Sequence, residues 1–126
     1  MRALAADLDA VCRHMRTAKR VALAVHEKPD LDALGAAAGM LDLFAQLGAA
    51  ATLTVAATEL LPFEDLILPR GAVERRGPTM DETLYALDSG SVTRLAVDLD
   101  GWRGEVVNID HHPDNTGFGD LDLVRP

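Results

Sequence analysis

The chain has 126 residues, of which 48% are hydrophobic but only 4% aromatic, so it can form one domain with a core of small aliphatic side chains. Its net charge of −8 argues against a protein that grips long nucleic acid through a basic face, and we expect no long duplex nucleic acid as a partner. The single cysteine, Cys12, excludes an internal disulfide and a thiolate zinc site, and no apolar run is long enough for a membrane span, so a cytoplasmic location is expected.

Helix-like and strand-like patterns alternate in the first half of the chain. Residues 1–19 predict an amphipathic helix, because apolar side chains recur at intervals of three and four: Leu4, Leu8, Val11, Cys12 and Met15. Residues 20–26 predict a strand that ends before Pro29. A second helix is predicted from Asp32, as its capping residue, to Gly48, with the small residues 35–39 packed closely on a sheet. Residues 51–56 predict a second strand.

The second half continues this alternation and predicts an α/β fold. Residues 57–82 predict a loop with one helical turn around 64–67, residues 83–88 a third strand, residues 91–100 a short helix or turn, and residues 105–110 a fourth strand. Such an order is typical of a Rossmann-like parallel sheet with helices on both faces. Residues 117–126 begin another strand-like run and then stop, so we expect a domain truncated at its C-terminus.

Ionisable side chains follow three of the predicted strands: His26, Asp30 and Asp32 the first, Asp88 the third, and Asp110, His111 and His112 the fourth. The carboxyl ends of parallel strands lie at one edge of a sheet, where ligands bind, so we expect these side chains to converge in a single pocket. Crowded carboxylates repel unless divalent cations neutralise them. Carboxylates mixed with imidazoles suit manganese, iron, cobalt or zinc better than calcium.

Each of these features has a simpler structural explanation when taken alone. Asp30 and Asp32 fit a polar turn before a helix, and Asp88 before Ser89 fits an ordinary turn. A histidine at a strand end, such as His26, is more often structural than a ligand. The metal-site interpretation rests on their joint placement at three strand ends.

Three segments resemble the motifs of the DHH phosphoesterase superfamily: HEKPDLDALG at 26–35, LYALDSGSVTRL at 84–95 and NIDHHPDN at 108–115. The form of the first and third motifs is most similar to the subfamily of bifunctional oligoribonucleases and pAp phosphatases, the nanoRNases. Two positions differ from the usual motif: Leu31 stands where glycine is frequent, and Ala36 where serine is frequent.

The resemblance implies a role for each matched residue. His26 and Asp30 are implied to hold one metal ion, Asp32 and His111 a second, and Asp88 to bridge them. Asp110 is implied to support the site and His112 to face the substrate phosphate, both as catalytic residues, while Arg94 and Asn115 are candidate substrate-binding residues. For Arg94, a solvated helix position or a salt bridge is an equal alternative. We expect two Mn²⁺ ions, with Mg²⁺ or Co²⁺ as alternatives.

The resemblance also implies the domain organisation and the reaction. Residues 1–126 are expected to be the N-terminal DHH domain, without the family's fourth motif and its C-terminal DHH-associated domain, and therefore to turn over little substrate alone. The expected substrates are short RNA or nucleotides such as 3′-phosphoadenosine 5′-phosphate (pAp), and the whole protein is expected to form a homodimer. The alternatives are a pyrophosphate or polyphosphate hydrolase and a non-catalytic nucleotide-binding module.

Overall fold

A computed structural model describes the backbone of residues 4–126 and the side chains from residue 7 onward. Helices and strands alternate along the chain as α1 (Leu4–Thr17), β1 (Arg20–Val25), α2 (Leu31–Gln46), β2 (Ala50–Thr54), α3 (Glu64–Ile67), β3 (Val73–Glu74), β4 (Thr83–Leu87), a 3-10 helix (Val92–Arg94), β5 (Val106–Asp110) and β6 (Leu121–Val124). None of the described helices is both long and apolar enough to cross a bilayer.

The six strands form one parallel sheet in the order β3-β2-β1-β4-β5-β6. After β3 the chain crosses β2 and β1 and pairs β4 with the opposite side of β1, so Val25 lies beside Leu87 in register. In sheets of this order, ligands bind at the carboxyl ends of the strands where the direction of winding reverses. The topology therefore directs attention to the ends of β1 and β4.

The two faces of the sheet are covered differently. The larger core lies between the sheet and helices α1, α2 and α3, and its largest fully buried side chains include Tyr85, Phe44, Leu23, Leu34 and Leu53. The opposite face carries smaller side chains, including Ala22, Ala24 and Ala86, under residues 95–102 and Phe118. The predicted α/β class and parallel sheet are confirmed. Among the described residues, however, the second face is covered by irregular chain, because the crossover from β4 to β5 contains no α-helix.

Local differences from the prediction occur at the helices and in the long loop. Asp30, rather than Asp32, caps α2, since its Oδ1 accepts a hydrogen bond of 2.9 Å from the Ala33 amide. The run 35–39 is packed only in part: Ala37 is buried, whereas a Cβ atom at Gly35 or Gly39 would meet no atom outside the local helix backbone within 4 Å. The expected helical turn at 64–67 is present, and the loop also contains strand β3, too short to leave a periodic signal.

Helix α1 buries the predicted face at its C-terminal end. Val11 and Met15 are buried and Cys12 is half-buried, whereas Leu8 is 48% exposed. The side chain of Leu4 lies outside the described residues.

A buried ion pair orders the loop that leads into β4. The carboxylate of Glu82 accepts hydrogen bonds from Arg76 Nη1 (2.7 Å), Arg76 Nη2 (3.0 Å) and the Thr79 amide (2.8 Å). The hydrogen bonds from Arg76 hold the pKa of Glu82 below its usual value, although burial of the carboxyl acts in the opposite direction. The charged carboxylate therefore stabilises the folded state.

We expect Glu82→Gln to lower the free energy of unfolding by roughly 2 kcal/mol at about pH 7, because the Arg76 charge loses its buried partner. The folded-state pKa of Glu82 is depressed, so its contribution is complete above the unfolded pKa and is lost as the pH falls through the folded pKa. Urea denaturation of both proteins should therefore give a difference that shrinks below about pH 4.5. Asp81→Asn, next to it but with an exposed side chain, should change little; an equal loss there would contradict the prediction.

Candidate metal centre

The ionisable residues of the three motifs meet at the carboxyl ends of β1, β4 and β5. His26 follows β1, Asp88 follows β4, and His111 follows β5, while Asp30 and Asp32 lie at the first turn of α2. This is the edge at which the sheet topology favours ligand binding.

Asp88 lies at the middle of this cluster in an unusual backbone conformation. Its φ is 58°, in the left-handed region, and its amide donates a hydrogen bond of 3.1 Å to the Ile109 carbonyl. The side chain is only 9% exposed. Aspartate and asparagine tolerate left-handed φ better than most residues, and such strain is frequent at functional sites. The Asp88 carboxylate therefore lies largely buried at the carboxyl end of β4.

Two groups of possible metal ligands share the Asp88 carboxylate. His26, Asp30 and Asp88 form one group, and Asp88, Asp110, His111 and His112 the other; in each, the ligand atoms lie within 4.8 Å of one another. Asp32 falls outside both groups, but its Oδ2 lies 3.7 Å from His111 Nε2.

The tautomer of His26 prepares it to bind a cation. Its Nδ1 donates a hydrogen bond of 2.7 Å to the Glu27 carbonyl, so the neutral ring carries its lone pair on Nε2. That Nε2 lies 3.6 Å from Asp88 Oδ2 and 3.8 Å from Asp30 Oδ1, too far for good hydrogen bonds. A lone pair facing two carboxylates is favourable when a cation binds all three, and a histidine held by a backbone carbonyl is a common metal ligand.

On the other side of Asp88, the ring of His111 approaches two carboxylates. His111 Nε2 lies 2.8 Å from Asp88 Oδ1, within hydrogen-bonding distance. The side chains of His111 and Asp32 are 59% and 73% exposed, so this half of the cluster is open to solvent.

Asp110 and His112 form a tight pair in which each oxygen of Asp110 accepts a hydrogen bond. His112 Nδ1 donates to Asp110 Oδ1 at 2.6 Å, and Asn115 Nδ2 donates to Asp110 Oδ2 at 2.8 Å. Burial disfavours the charged form of Asp110, but these two hydrogen bonds hold its pKa below the usual value. The hydrogen bond to Asp110 raises the pKa of His112. Because the oxygens of Asp110 and Nδ1 of His112 are engaged, this pair is better suited to support the site than to supply metal ligands.

The remaining two predicted residues, Asn115 and Arg94, differ in their surroundings. The Asn115 amide is engaged inside the protein, donating to Asp110 Oδ2 and to the Ser89 carbonyl at 3.2 Å. Arg94 is exposed and lines the same cavity as His26 and His112. Within residues 4–126 its guanidinium has no carboxylate at ion-pair distance.

Two cavities, rather than the single expected pocket, adjoin the cluster, and Asp88 lines both. One, of about 490 Å³, is polar and is lined by His26, Asp30, Arg94 and His112 among others. The second, of about 590 Å³, is lined by Asp32, Asp110 and His111 together with apolar side chains of α1, α2, β4, β5 and β6.

The donor set fits divalent cations. Carboxylate and imidazole atoms are mixed without thiolates, as manganese, cobalt or magnesium sites allow, and a buried carboxylate shared by two ligand groups suits a bridging position.

One buried polar residue near the centre, Asn108 of β5, had no role in the sequence interpretation. Its signal was a polar residue inside an otherwise apolar strand.

Comparisons with known proteins identify the family of the domain. Residues 20–124 match the profile described as the DHH family, N-terminal domain. The chain is 36% identical over 110 residues to a protein named bifunctional oligoribonuclease and PAP phosphatase NrnA from Thermus thermophilus, an alignment that covers 82% of this chain and 31% of the relative. The chain thus spans about a third of the length of that relative.

A solved structure has the same fold. The crystal structure of an exopolyphosphatase-related protein from Bacteroides fragilis superposes with a TM-score of 0.76 and 18% identity, covering 96% of this chain and 39% of that one. At this identity the likeness concerns the fold alone. The match over residues 20–124 and the identity to NrnA confirm the resemblance seen in the three motifs: the chain belongs to the DHH family.

Proposed function

We propose that this chain carries the two-metal centre of a phosphoesterase that hydrolyses short oligoribonucleotides or pAp-like nucleotides. The observation that carries the proposal is the buried Asp88 carboxylate, which belongs to both groups of candidate ligands. His26 and Asp30 are assigned to one ion, Asp32 and His111 to the other, and Asp88 to both. Bound Mn²⁺ ions, or Mg²⁺ or Co²⁺, would supply an activated water and neutralise charge on a phosphoryl oxygen.

The assignment of the substrate rests on the side chains around the polar cavity. Arg94 offers an exposed cation that has no carboxylate partner among the described side chains, and His112 borders the same space. Both suit a phosphate that enters beside Asp88. The net charge of −8 restricts this attraction to the immediate site, which favours short substrates over long nucleic acid.

The name of the Thermus relative supports oligoribonucleotides and pAp as the substrate class. The sequence interpretation of residues 1–126 as one N-terminal domain, the homodimer of the whole protein and the cytoplasmic location stay predictions.

Binding of pAp to the Mn²⁺-loaded chain tests the proposal. We expect calorimetry to detect pAp only when Mn²⁺ is present, and Arg94→Ala to weaken it about 10-fold or more, because a charge-assisted contact to phosphate is lost. Arg103→Ala removes the same charge from an exposed loop and should change the affinity little.

The relative rates at which different substrates are hydrolysed separate the alternatives. Phosphate or nucleotide release, even if slow, should be faster from pAp or a diribonucleotide than from pyrophosphate. Preferential hydrolysis of pyrophosphate would instead assign the chain to the pyrophosphatase and polyphosphatase branch. Tight nucleotide binding by the whole protein, without turnover under any metal, would assign a regulatory role.

A further inference from the structure

A fully buried amide, Asn108, lies in the middle of β5 between Val107 and Ile109. Strands buried on both faces of a parallel sheet are normally apolar, and burying an amide is costly unless its hydrogen bonds are satisfied. Side chains alternate along a strand, so Asn108 lies on the same face as Asp110. We therefore expect the Asn108 amide to form specific hydrogen bonds that an apolar side chain at this position could not form.

The hydrogen bonds of Asn108 fix its orientation. Its Nδ2 lies 2.9 Å from Asn115 Oδ1 and 2.9 Å from Asp122 Oδ1. Asn115 Oδ1 also accepts from the Gly117 amide at 2.8 Å, which can only donate, so this atom is the oxygen of the Asn115 amide. Both donor hydrogens of Asn108 are therefore used, and they set which way the Asn115 amide points.

The oriented Asn115 amide then reaches two loops of the candidate centre. Its Nδ2 donates to Asp110 Oδ2 at 2.8 Å and to the carbonyl of Ser89, the residue after Asp88, at 3.2 Å. Asp110 Oδ1 in turn accepts from His112 Nδ1 at 2.6 Å. Three consecutive hydrogen bonds thus connect Asn108 to His112, and a branch connects it to the backbone beside Asp88.

We infer that Asn108 is a positioning residue of this centre, which acts through Asn115 to hold Asp110, His112 and the segment after Asp88 in one arrangement. Its effect on metal binding rests on the proposed function, whereas its effect on the Asp110–His112 pair does not. Residues that orient metal ligands from behind commonly change metal affinity by about 10–100-fold when they are replaced.

The first test uses the metal-free chain. In the wild type, nitrogen-15 NMR should detect the His112 Nδ1 proton in its hydrogen bond to Asp110. Asn108→Leu, which keeps a similar volume, should abolish or shift this signal while the chain remains folded by circular dichroism. The signals of His14, which contacts Tyr85 instead, should stay unchanged.

The second test measures Mn²⁺ affinity by calorimetry. Asn108→Leu should weaken it about 10–100-fold, and the double variant with Asn115→Ala should lose no more than the larger single loss, because both residues act along one path. Thr54→Val is the matched control: it removes another fully buried hydrogen bond, from Thr54 Oγ1 to the Leu23 carbonyl, and should lower stability without changing Mn²⁺ affinity.

The outcomes separate this inference from the proposed function. Unchanged His112 signals and unchanged Mn²⁺ affinity in folded Asn108→Leu would overturn it and leave Asn108 a purely structural residue. If the wild type binds no Mn²⁺, the proposed function fails, and the His112 signal alone decides whether Asn108 positions the pair. If Asn108→Leu does not fold, Asn108→Ser, which also removes the amide, takes its place in both measurements.

Discussion

Asp88→Asn is expected to abolish most of the rise in melting temperature that Mn²⁺ gives the wild-type chain. The Asp88 carboxylate belongs to both groups of candidate ligands and is nearly buried, so its charge faces both cation positions. Asparagine also accepts a left-handed φ and has the same shape, so the metal-free variant should fold as the wild type does. The substitution therefore removes the proposed bridge with little other change.

The size of the effect follows from ligand linkage. A ligand at 100 times its dissociation constant stabilises the folded state by about 2.7 kcal/mol. For a domain of this size that corresponds to roughly 10 °C in melting temperature. Differential scanning fluorimetry with and without Mn²⁺ measures the shift directly, and we expect roughly 2 °C or less for Asp88→Asn.

A matched control distinguishes a specific site from general acidity. Asp42 lies on α2, ten residues after Asp32 and about 15 Å further along the helix. Asp42→Asn removes the same charge and should keep the full Mn²⁺ shift. If the wild-type curves with and without Mn²⁺ coincide, or if Asp42→Asn loses as much as Asp88→Asn, the metal-centre interpretation is wrong.

The strands that carry the site were predictable because their apolar runs are bounded by charged or turn residues. Residues 20–26, 83–88 and 105–110 were each placed within about one residue of β1, β4 and β5. Strand β3 has two residues, Val73 and Glu74, and such a pair has no period to recognise. The irregular covering of the second face of the sheet was also beyond sequence patterns, since it depends on the path of residues 95–102 in three dimensions.

The edge of the sheet at which the site lies was predictable from the sequence, whereas the contacts of its individual side chains were not. Topology alone brings residues after β1, β4 and β5 together, whatever their side chains do. Asp30 caps α2 in place of the predicted Asp32 because the first turn of the helix begins two residues earlier. The sequence does not distinguish the two positions, since both carry an aspartate that could serve as a cap. Asn115 is directed inward because the buried Asn108 Nδ2 donates a hydrogen bond to its Oδ1, a contact that no local pattern encodes.

Replacing each of the two adjacent histidines should have different effects, although both belong to the third motif. His111→Ala is expected to weaken Mn²⁺ binding by at least about 100-fold, since loss of a direct ligand should exceed the 10–100-fold effect of supporting residues. His112→Ala should weaken Mn²⁺ binding only about 10-fold, the low end for supporting residues, because His112 donates its Nδ1 proton to Asp110 and is not assigned to either ion. Calorimetric titration of the 126-residue chain measures both.

Binding of pAp then separates metal loss from substrate contact. His111→Ala should lose its affinity for pAp together with Mn²⁺ and should regain part of that affinity at high Mn²⁺ concentration. His112→Ala should bind pAp about 10-fold more weakly even at saturating Mn²⁺, because a hydrogen-bond donor to phosphate is lost. His14→Gln, which alters a histidine paired with Tyr85 and Glu105, should leave both affinities unchanged. If His112→Ala loses Mn²⁺ as severely as His111→Ala does, His112 is itself a ligand, and the hydrogen bond to Asp110 must break when the metal binds.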